Sequence, residues 1–211
     1  MDAETYRQGL TELAARDRDL ARTLDTWGDP PFWTQAPGFP GLVMSILAQQ
    51  VSFESAQAAF AKLETVVEEV NPELFLSLDD RTLKAVGFSR QKAAYTRGVA
   101  HAIVGGDLDL HALASMDNDH VRQRLVQLKG IGRWTADAYL LFSLRRADAW
   151  PSGDLALIRA IQELRGLPAL TSQEADVAAE DWRPWRAVAA RMLWHHYLCT
   201  RGRMIRTTNQ V

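Results

Sequence analysis

The stretch Leu128-Lys129-Gly130-Ile131-Gly132-Arg133-Trp134-Thr135-Ala136 constrains this chain more than any other. Two glycines one residue apart separate two segments of helical period, which spells a helix-hairpin-helix turn. Glycine accepts positive φ and leaves the backbone bare, so Gly130 and Gly132 let the turn bring N–H groups close to something large and anionic. The phosphate of a nucleic acid meets that description. Nineteen residues after Thr135, in Trp-Pro-Ser-Gly-Asp-Leu-Ala-Leu-Ile-Arg-Ala, comes Asp154, a carboxylate at the start of the next helical segment. A phosphate-gripping turn followed by a placed acid implies chemistry on DNA.

Nearly every other segment also has helical period, and no run of β-branched alternation is bounded by turns, so the expected fold is all-α. Residues 2–25 read as one exposed, charged helix ended by Gly28-Asp29-Pro30-Pro31. After a loop rich in Pro and Gly, residues 41–50 form an almost wholly apolar helix, the mark of burial on all sides. Ser52 caps a helix running to about Val70, before Asn71-Pro72. A short helix spans 79–86, and Ser89 caps another that runs to Val104. The hairpin pair follows, its first helix starting at Asn118 or Asp119 and its second covering Arg133 to Arg145. Helices over 154–165, 171–180 and 184–200 complete the chain, with Pro184 in a first helical turn.

At 211 residues the chain is long enough for one large domain or two small lobes. A hydrophobic share of 47% with 24% charged residues excludes a disordered protein. No run approaches the ~20 apolar residues of a membrane helix and the polar N-terminus lacks a signal peptide, so the expectation is a cytoplasmic protein, nucleoid-associated if bacterial. A single cysteine, Cys199, excludes an internal disulfide and a four-thiolate cluster; it reads as a buried apolar residue. The net charge of −2 hides an asymmetry: residues 1–80 hold 5 Lys/Arg against 14 Asp/Glu, and residues 81–211 hold 19 against 12. A basic portion inside a neutral whole favours local attraction to phosphate, although charge also drifts along any solvated surface.

Each candidate residue has a structural alternative. Trp134, in the first turn of the second hairpin helix, is either core or the wall of a pocket. In the last helix Trp185, Val188, Ala189, Met192 and Leu193 form one stripe, while Trp194 points about half a turn away at ~100° per residue. It therefore needs a second apolar surface, which a pocket for stacked bases would supply. Asp154 is an N-cap, a fixed carboxylate suited to stand beside developing positive charge, or both. Lys129 and Arg133 either neutralise phosphates or are solvated charge. Arg159 meets a phosphate or a structural carboxylate. His195 and His196 are adjacent on a helix with no third partner, so no metal site is expected.

Taken together, these residues resemble the helix-hairpin-helix DNA glycosylase superfamily, and within it the 3-methyladenine DNA glycosylase II branch. The resemblance rests on Phe39-Pro40-Gly41-Leu42-Val43, Ile46-Leu47-Ala48-Gln49-Gln50-Val51-Ser52, Gly87-Phe88-Ser89-Arg90-Gln91-Lys92-Ala93, the hairpin with Arg133-Trp134-Thr135-Ala136, Asp154, and Arg183-Pro184-Trp185-Arg186 leading to Trp194. It implies two helical lobes with a base-binding cleft between them: residues 36–150 carrying the hairpin (about 119–146), and residues 1–35 plus 151–211. Asp154 matches the catalytic aspartate, while Trp134, Trp194 and Tyr139 fall at the base pocket. Gly130, Gly132, Lys129, Arg133 and Thr135 fall at the DNA-binding hairpin. Gln49 and Gln50 match the segment that fills the gap left by a flipped nucleotide, with the choice between them open.

Members that also cleave the strand typically carry a lysine where Trp134 stands. The resemblance therefore implies a monofunctional glycosylase that removes alkylated purines from double-stranded DNA, acting as a monomer. No cofactor is required, although a monovalent cation (Na or K) at the hairpin is part of the family pattern when DNA is bound. Larger bacterial members have an extra N-terminal β-rich domain for which this chain has no room, and Ala138 stands where some relatives place an aromatic. The rival readings are a glycosylase for other damaged bases (ethenoadenine, hypoxanthine, oxidised bases) and a non-catalytic helix-hairpin-helix DNA-binding module.

Overall fold

A computed structural model describes residues 1–203; the last eight residues of the expected 151–211 segment lie outside it. Among the described residues every regular element is helical. The chain divides into two compact units, Met1–Thr34 with Arg145 onward, and Gln35–Leu144. Residues 145–150, expected with the hairpin, thus belong to the unit that carries Asp154.

The first unit opens with α1 (Ala3–Arg16) and α2 (Arg18–Trp27), where a single helix over 2–25 was expected. The break is chemical. The Asp17 carboxylate accepts N–H bonds from Asp19 and Leu20 and takes the Trp182 indole N–H at 2.7 Å, and an aspartate that bonds its own following amides competes with continued helix.

The second unit holds α3 (Phe39–Leu47), α4 (Phe53–Glu64), α5 (Pro72–Ser77), α6 (Asp80–Ala85), α7 (Arg90–Val104), α8 (Leu110–Ser115), α9 (Asn118–Val126) and α10 (Arg133–Ala138). Helix α3 is buried at every position but Pro40, as its almost wholly apolar sequence requires, and its one polar residue, Ser45, donates to Gly41 O. Ser52 and Ser89 do cap α4 and α7. Two short helices were not foreseen, α5 capped by Asn71 and α8 capped by Asp109, while α4 ends at Glu64 instead of continuing to about Val70. The second hairpin helix is not uniformly α: after α10 it widens into a π turn at Tyr139–Ser143, closed by Leu144 N–H donating to Tyr139 O at 3.0 Å.

The chain returns to the first unit with α11 (Leu155–Arg165), α12 (Ser172–Glu180) and α13 (Arg186–Cys199). Pro184 lies before α13 rather than in its first turn, in a loop with a cis peptide after Arg183. The foreseen stripe of α13 is buried throughout, from Trp185 to Leu193. So is Arg191, which donates to Ala187 O and Trp33 O and lies over the rings of Tyr6 and Phe32. Burial pulls the Arg191 pKa down to about 10, and the two aromatic faces partly replace the water it has lost. This buried arginine fixes the 30–33 loop to α13.

Candidate active site and nucleic-acid interface

In the second unit, the turn between α9 and α10 has the bare backbone its sequence promised, but the two glycines differ. Gly130 has φ +91° and packs against the Tyr95 ring so closely that a Cβ would overlap it. Gly132 is extended, at φ −88° and ψ 176°, with open space where a Cβ would go, and no side chain caps the N-terminus of α10 that it begins. One glycine is therefore demanded by the interior and the other leaves the turn's outer surface bare. Lys129 is exposed, and Arg133 is 70% exposed with its Nε 3.8 Å from Asp137.

Beneath the turn lies an ion pair that the sequence did not announce. Asp137 of α10 is fully buried and accepts from Arg122 Nε of α9 at 2.6 Å. It joins the two helices of the hairpin from inside. Removing one partner of such a pair is far more damaging than the net worth of the pair, because the other charge stays buried.

Three residues expected at the DNA or base surface face elsewhere. Thr135 is buried, and its hydroxyl accepts from Gln49 Nε2 at 3.0 Å, so it ties the hairpin internally. Tyr139 is fully buried, its hydroxyl oxygen accepting the Gly38 N–H at 3.2 Å; burial raises its pKa, and it belongs to the core of its unit. Gln49 is half-buried and turned towards the hairpin, donating to Gly130 O at 2.8 Å as well as to Thr135. Gln50, by contrast, is exposed with φ +57°. Left-handed backbone costs a non-glycine residue about 1–3 kcal/mol and is kept where surrounding structure over-determines it. Trp134 is half-buried in the first turn of α10, between its two sequence alternatives.

In the first unit, Asp154 is the N-cap of α11. Its Oδ1 accepts from Ala156 N at 2.9 Å, Leu157 N at 3.0 Å and Trp194 Nε1 at 3.2 Å. Trp194 of α13 thus finds the carboxylate itself beside it. The turn before Asp154 is held by Asp176 of α12, which accepts from Trp150 Nε1 at 2.9 Å and Ser152 Oγ at 2.6 Å. Next to Asp154, Leu155 is 77% exposed, a large apolar side chain presented to solvent at the first residue of α11. Neither Asp176 nor Leu155 belongs to a motif of the sequence. The helical period of α11 already placed Leu155 off the buried face of Leu157, Ile161 and Leu164, and nothing local pointed to Asp176. Arg159 is exposed and donates to Gln162 Oε1 at 3.1 Å. Cys199 is buried beside His195.

The geometry supplies a carboxylate immobilised by three donors, a partly exposed indole bonded to it, and a hairpin with an uncapped helix start. Residues 43–187 match the family model described as HhH-GPD superfamily base excision DNA repair protein. The chain is 31% identical over 197 residues to DNA-3-methyladenine glycosylase 1 of Schizosaccharomyces pombe, covering 91% of this chain and 85% of that protein. Among solved structures it resembles a 3-methyladenine DNA glycosylase of S. pombe in complex with abasic DNA, with TM-score 0.82 and 25% identity over 92% of this chain and 97% of the other. A DNA-3-methyladenine glycosidase of Bacillus halodurans superposes with TM-score 0.76 at 29% identity, over 92% and 91% of the two chains. The chain belongs to the HhH-GPD superfamily of base excision DNA repair proteins.

Proposed function

We propose that this protein is a monofunctional DNA glycosylase that excises alkylated purines of the 3-methyladenine and 7-methylguanine type from double-stranded DNA, initiating base excision repair. The observation that carries the reading is the Asp154 carboxylate, fixed by two backbone N–H groups and the Trp194 indole. The names of the relatives support the lesion class.

A base must leave the stack before chemistry reaches its glycosidic bond, at a cost of a few kcal/mol that is lowest for damaged or poorly paired bases. Gln50, exposed and in left-handed backbone, fills the vacated position. Gln49, engaged with the hairpin, does not. An alkylated purine carries positive charge, so its ring stacks well on an indole face, by about 0.5–2 kcal/mol; Trp194, bonded to Asp154, supplies such a face. The same charge makes the base a good leaving group. The bond from C1′ to the base nitrogen breaks, its electron pair leaves with the base, and positive charge develops on C1′ and the ring oxygen. The Asp154 carboxylate stabilises that charge, an electrostatic task for which a preorganised group needs no reorganisation. Water then bonds to C1′ and gives up a proton. Trp134 offers no amine for a Schiff base, which supports hydrolysis without strand cleavage.

The hairpin amides and the exposed Lys129 and Arg133 hold a backbone phosphate. The turn fits a monovalent cation as well: it presents neutral carbonyl oxygens, and Leu128 O and Gly130 O, each accepting one hydrogen bond, keep a second lone pair. When bound there the ion neutralises phosphate charge.

The test is to incubate the protein with duplexes carrying 3-methyladenine, 7-methylguanine, hypoxanthine, ethenoadenine or 8-oxoguanine, and to measure free base and alkali-labile sites. Release of the alkylated purines without borohydride-trappable adduct is expected. Exclusive release of an oxidised base, or a trapped adduct, overturns the reading. Binding to every duplex with no release at all favours a non-catalytic module.

A further inference from the structure

The two neighbouring glutamines at the end of α3 behave oppositely, and the contrast has a physical cause. Building on the reading of Gln50 as the gap-filling residue, we infer that Gln49 is a positioning residue: its clasp on the hairpin holds Gln50 in its left-handed backbone, so that gap filling and phosphate binding act as one braced element.

Gln49 Nε2 donates to Gly130 O at 2.8 Å and to Thr135 Oγ1 at 3.0 Å, one acceptor in the turn and the other in α10. Just before it, Leu47 O at the C-terminal end of α3 accepts from Lys92 Nζ at 2.6 Å. Just after Gln50, Ser52 caps α4 by accepting from Ser55 N. The chain is therefore anchored on both sides of one exposed residue at φ +57°. A glutamine has no local reason to stay in that region and does so where its surroundings over-determine it. Helix α7 supplies the rest of the brace, because Lys92 holds α3 and Tyr95 three residues later backs Gly130. Without the Gln49 donors, the backbone at Gln50 relaxes towards ordinary right-handed conformation and its side chain no longer aims where the turn aims.

The distinguishing readout is how much excision depends on base pairing. Single-turnover excision of 7-methylguanine is measured in duplex opposite cytosine, where eversion must break a pair, and opposite a tetrahydrofuran abasic analogue, where it need not. The quantity compared is the ratio of the two rates. Gln49→Leu keeps side-chain bulk and removes both donated bonds, so the ratio should fall about tenfold, as for the loss of buried hydrogen bonds expressed in a single step. Gln50→Ala should lower the same ratio. Gln49→Glu keeps length but cannot donate when ionised; its ratio should be low at about pH 7.5 and recover as the pH falls through the pKa of the new carboxyl group, which half-burial against Gly130 O raises above the ordinary ~4.3, because the protonated form has one O–H to donate. This pH rescue is something a merely destabilised fold would not show.

If Gln49→Leu lowers both rates in the same proportion and Gln49→Glu shows no pH-dependent recovery, the inference is overturned. If Gln50→Ala lowers the ratio while neither Gln49 variant does, gap filling stands and the clasp is dismissed. An unchanged ratio for Gln50→Ala removes the gap-filling assignment itself, and absence of excision by the unmodified protein removes the proposed function.

Discussion

Two helix starts in this protein are built in opposite ways. Helix α10 begins at Gly132 with no side-chain cap and open space around it, whereas α11 begins at Asp154, whose own carboxylate occupies the first amides. A helix N-terminus carries unsatisfied N–H groups and partial positive charge, so the first start is suited to an anion from outside. The second has already taken in an anion of its own and fixed it in place. The same backbone feature stays open to an outside group where it is left bare and, on the proposed reading, prepares a reagent where it is filled. The hairpin is braced from the inside by Gln49, Tyr95 and Asp137; Asp154 is braced through the very group proposed to act.

The largest effect is expected where the filled start is broken chemically but not structurally. Asparagine caps helices about as well as aspartate, and in Asp154→Asn the Oδ1 atom still accepts from Ala156, Leu157 and Trp194. Excision should fall by about 10³-fold, the scale of losing a preorganised electrostatic group. Thermal stability and affinity for abasic DNA should change little. Single-turnover kinetics beside a melting curve checks this, and excision near the unmodified rate would reduce Asp154 to a cap.

The bare start is sharpened by its two glycines. Gly130→Ala places a Cβ into the Tyr95 ring at positive φ and should destabilise the fold by about 2–3 kcal/mol through overpacking and strain. Gly132→Ala meets nothing within 4 Å, so stability should hold while affinity for undamaged and damaged DNA falls together. Denaturant unfolding and filter binding separate the two. Equal losses of stability would erase the distinction drawn between interior and outer glycine.

Legibility in the sequence follows the range of the interaction that decides each feature. Ser52, Ser89 and Asp154 bond amides two or three residues away, so their helix starts could be read from short windows. The glycine spacing of the hairpin is equally local. Side-chain direction is not: Gln49 turns inward for a carbonyl 81 residues on, and Tyr139 for an amide 101 residues back. Both were therefore placed at a surface they do not line. Asp17 shows the middle case, since its capping bonds are local but its bond to Trp182 spans 165 residues. Helices α5 and α8, at six residues each, are too short for periodicity to register, whereas the equally short α6 has Gly87 to mark its end. For Trp194 the helical angle correctly took it off the buried stripe, yet its polar partner lies 40 residues away.

That indole also gives a test of intermediate size. Trp194→Phe keeps an aromatic face and deletes the donor to Asp154, and loss of one hydrogen bond to a charged group, about 1.5–3 kcal/mol, should lower the excision rate by about tenfold or more with substrate affinity preserved. Trp194→Leu should lose affinity for the lesion as well, because stacking is worth about 1–3 kcal/mol per base. If the phenylalanine variant matched the unmodified rate, the hydrogen bond would be incidental to a stacking wall.

The smallest effect concerns Leu155. At 77% exposure its side chain adds little to the core, so Leu155→Ala should leave the melting temperature unchanged, and the better helix propensity of alanine would raise it if anything. A leucine beside the acid that packs on a bound sugar or base edge instead buries part of its apolar surface only in the complex. Truncation should then weaken binding to abasic DNA by about threefold to tenfold, the worth of one or two buried methylene groups at ~0.8 kcal/mol each. Isothermal titration reads the loss directly, and a smaller negative heat-capacity change on binding should accompany it, since apolar burial is what that quantity reports. Unaltered affinity would mean that the filled helix start contacts DNA through the polar pair alone.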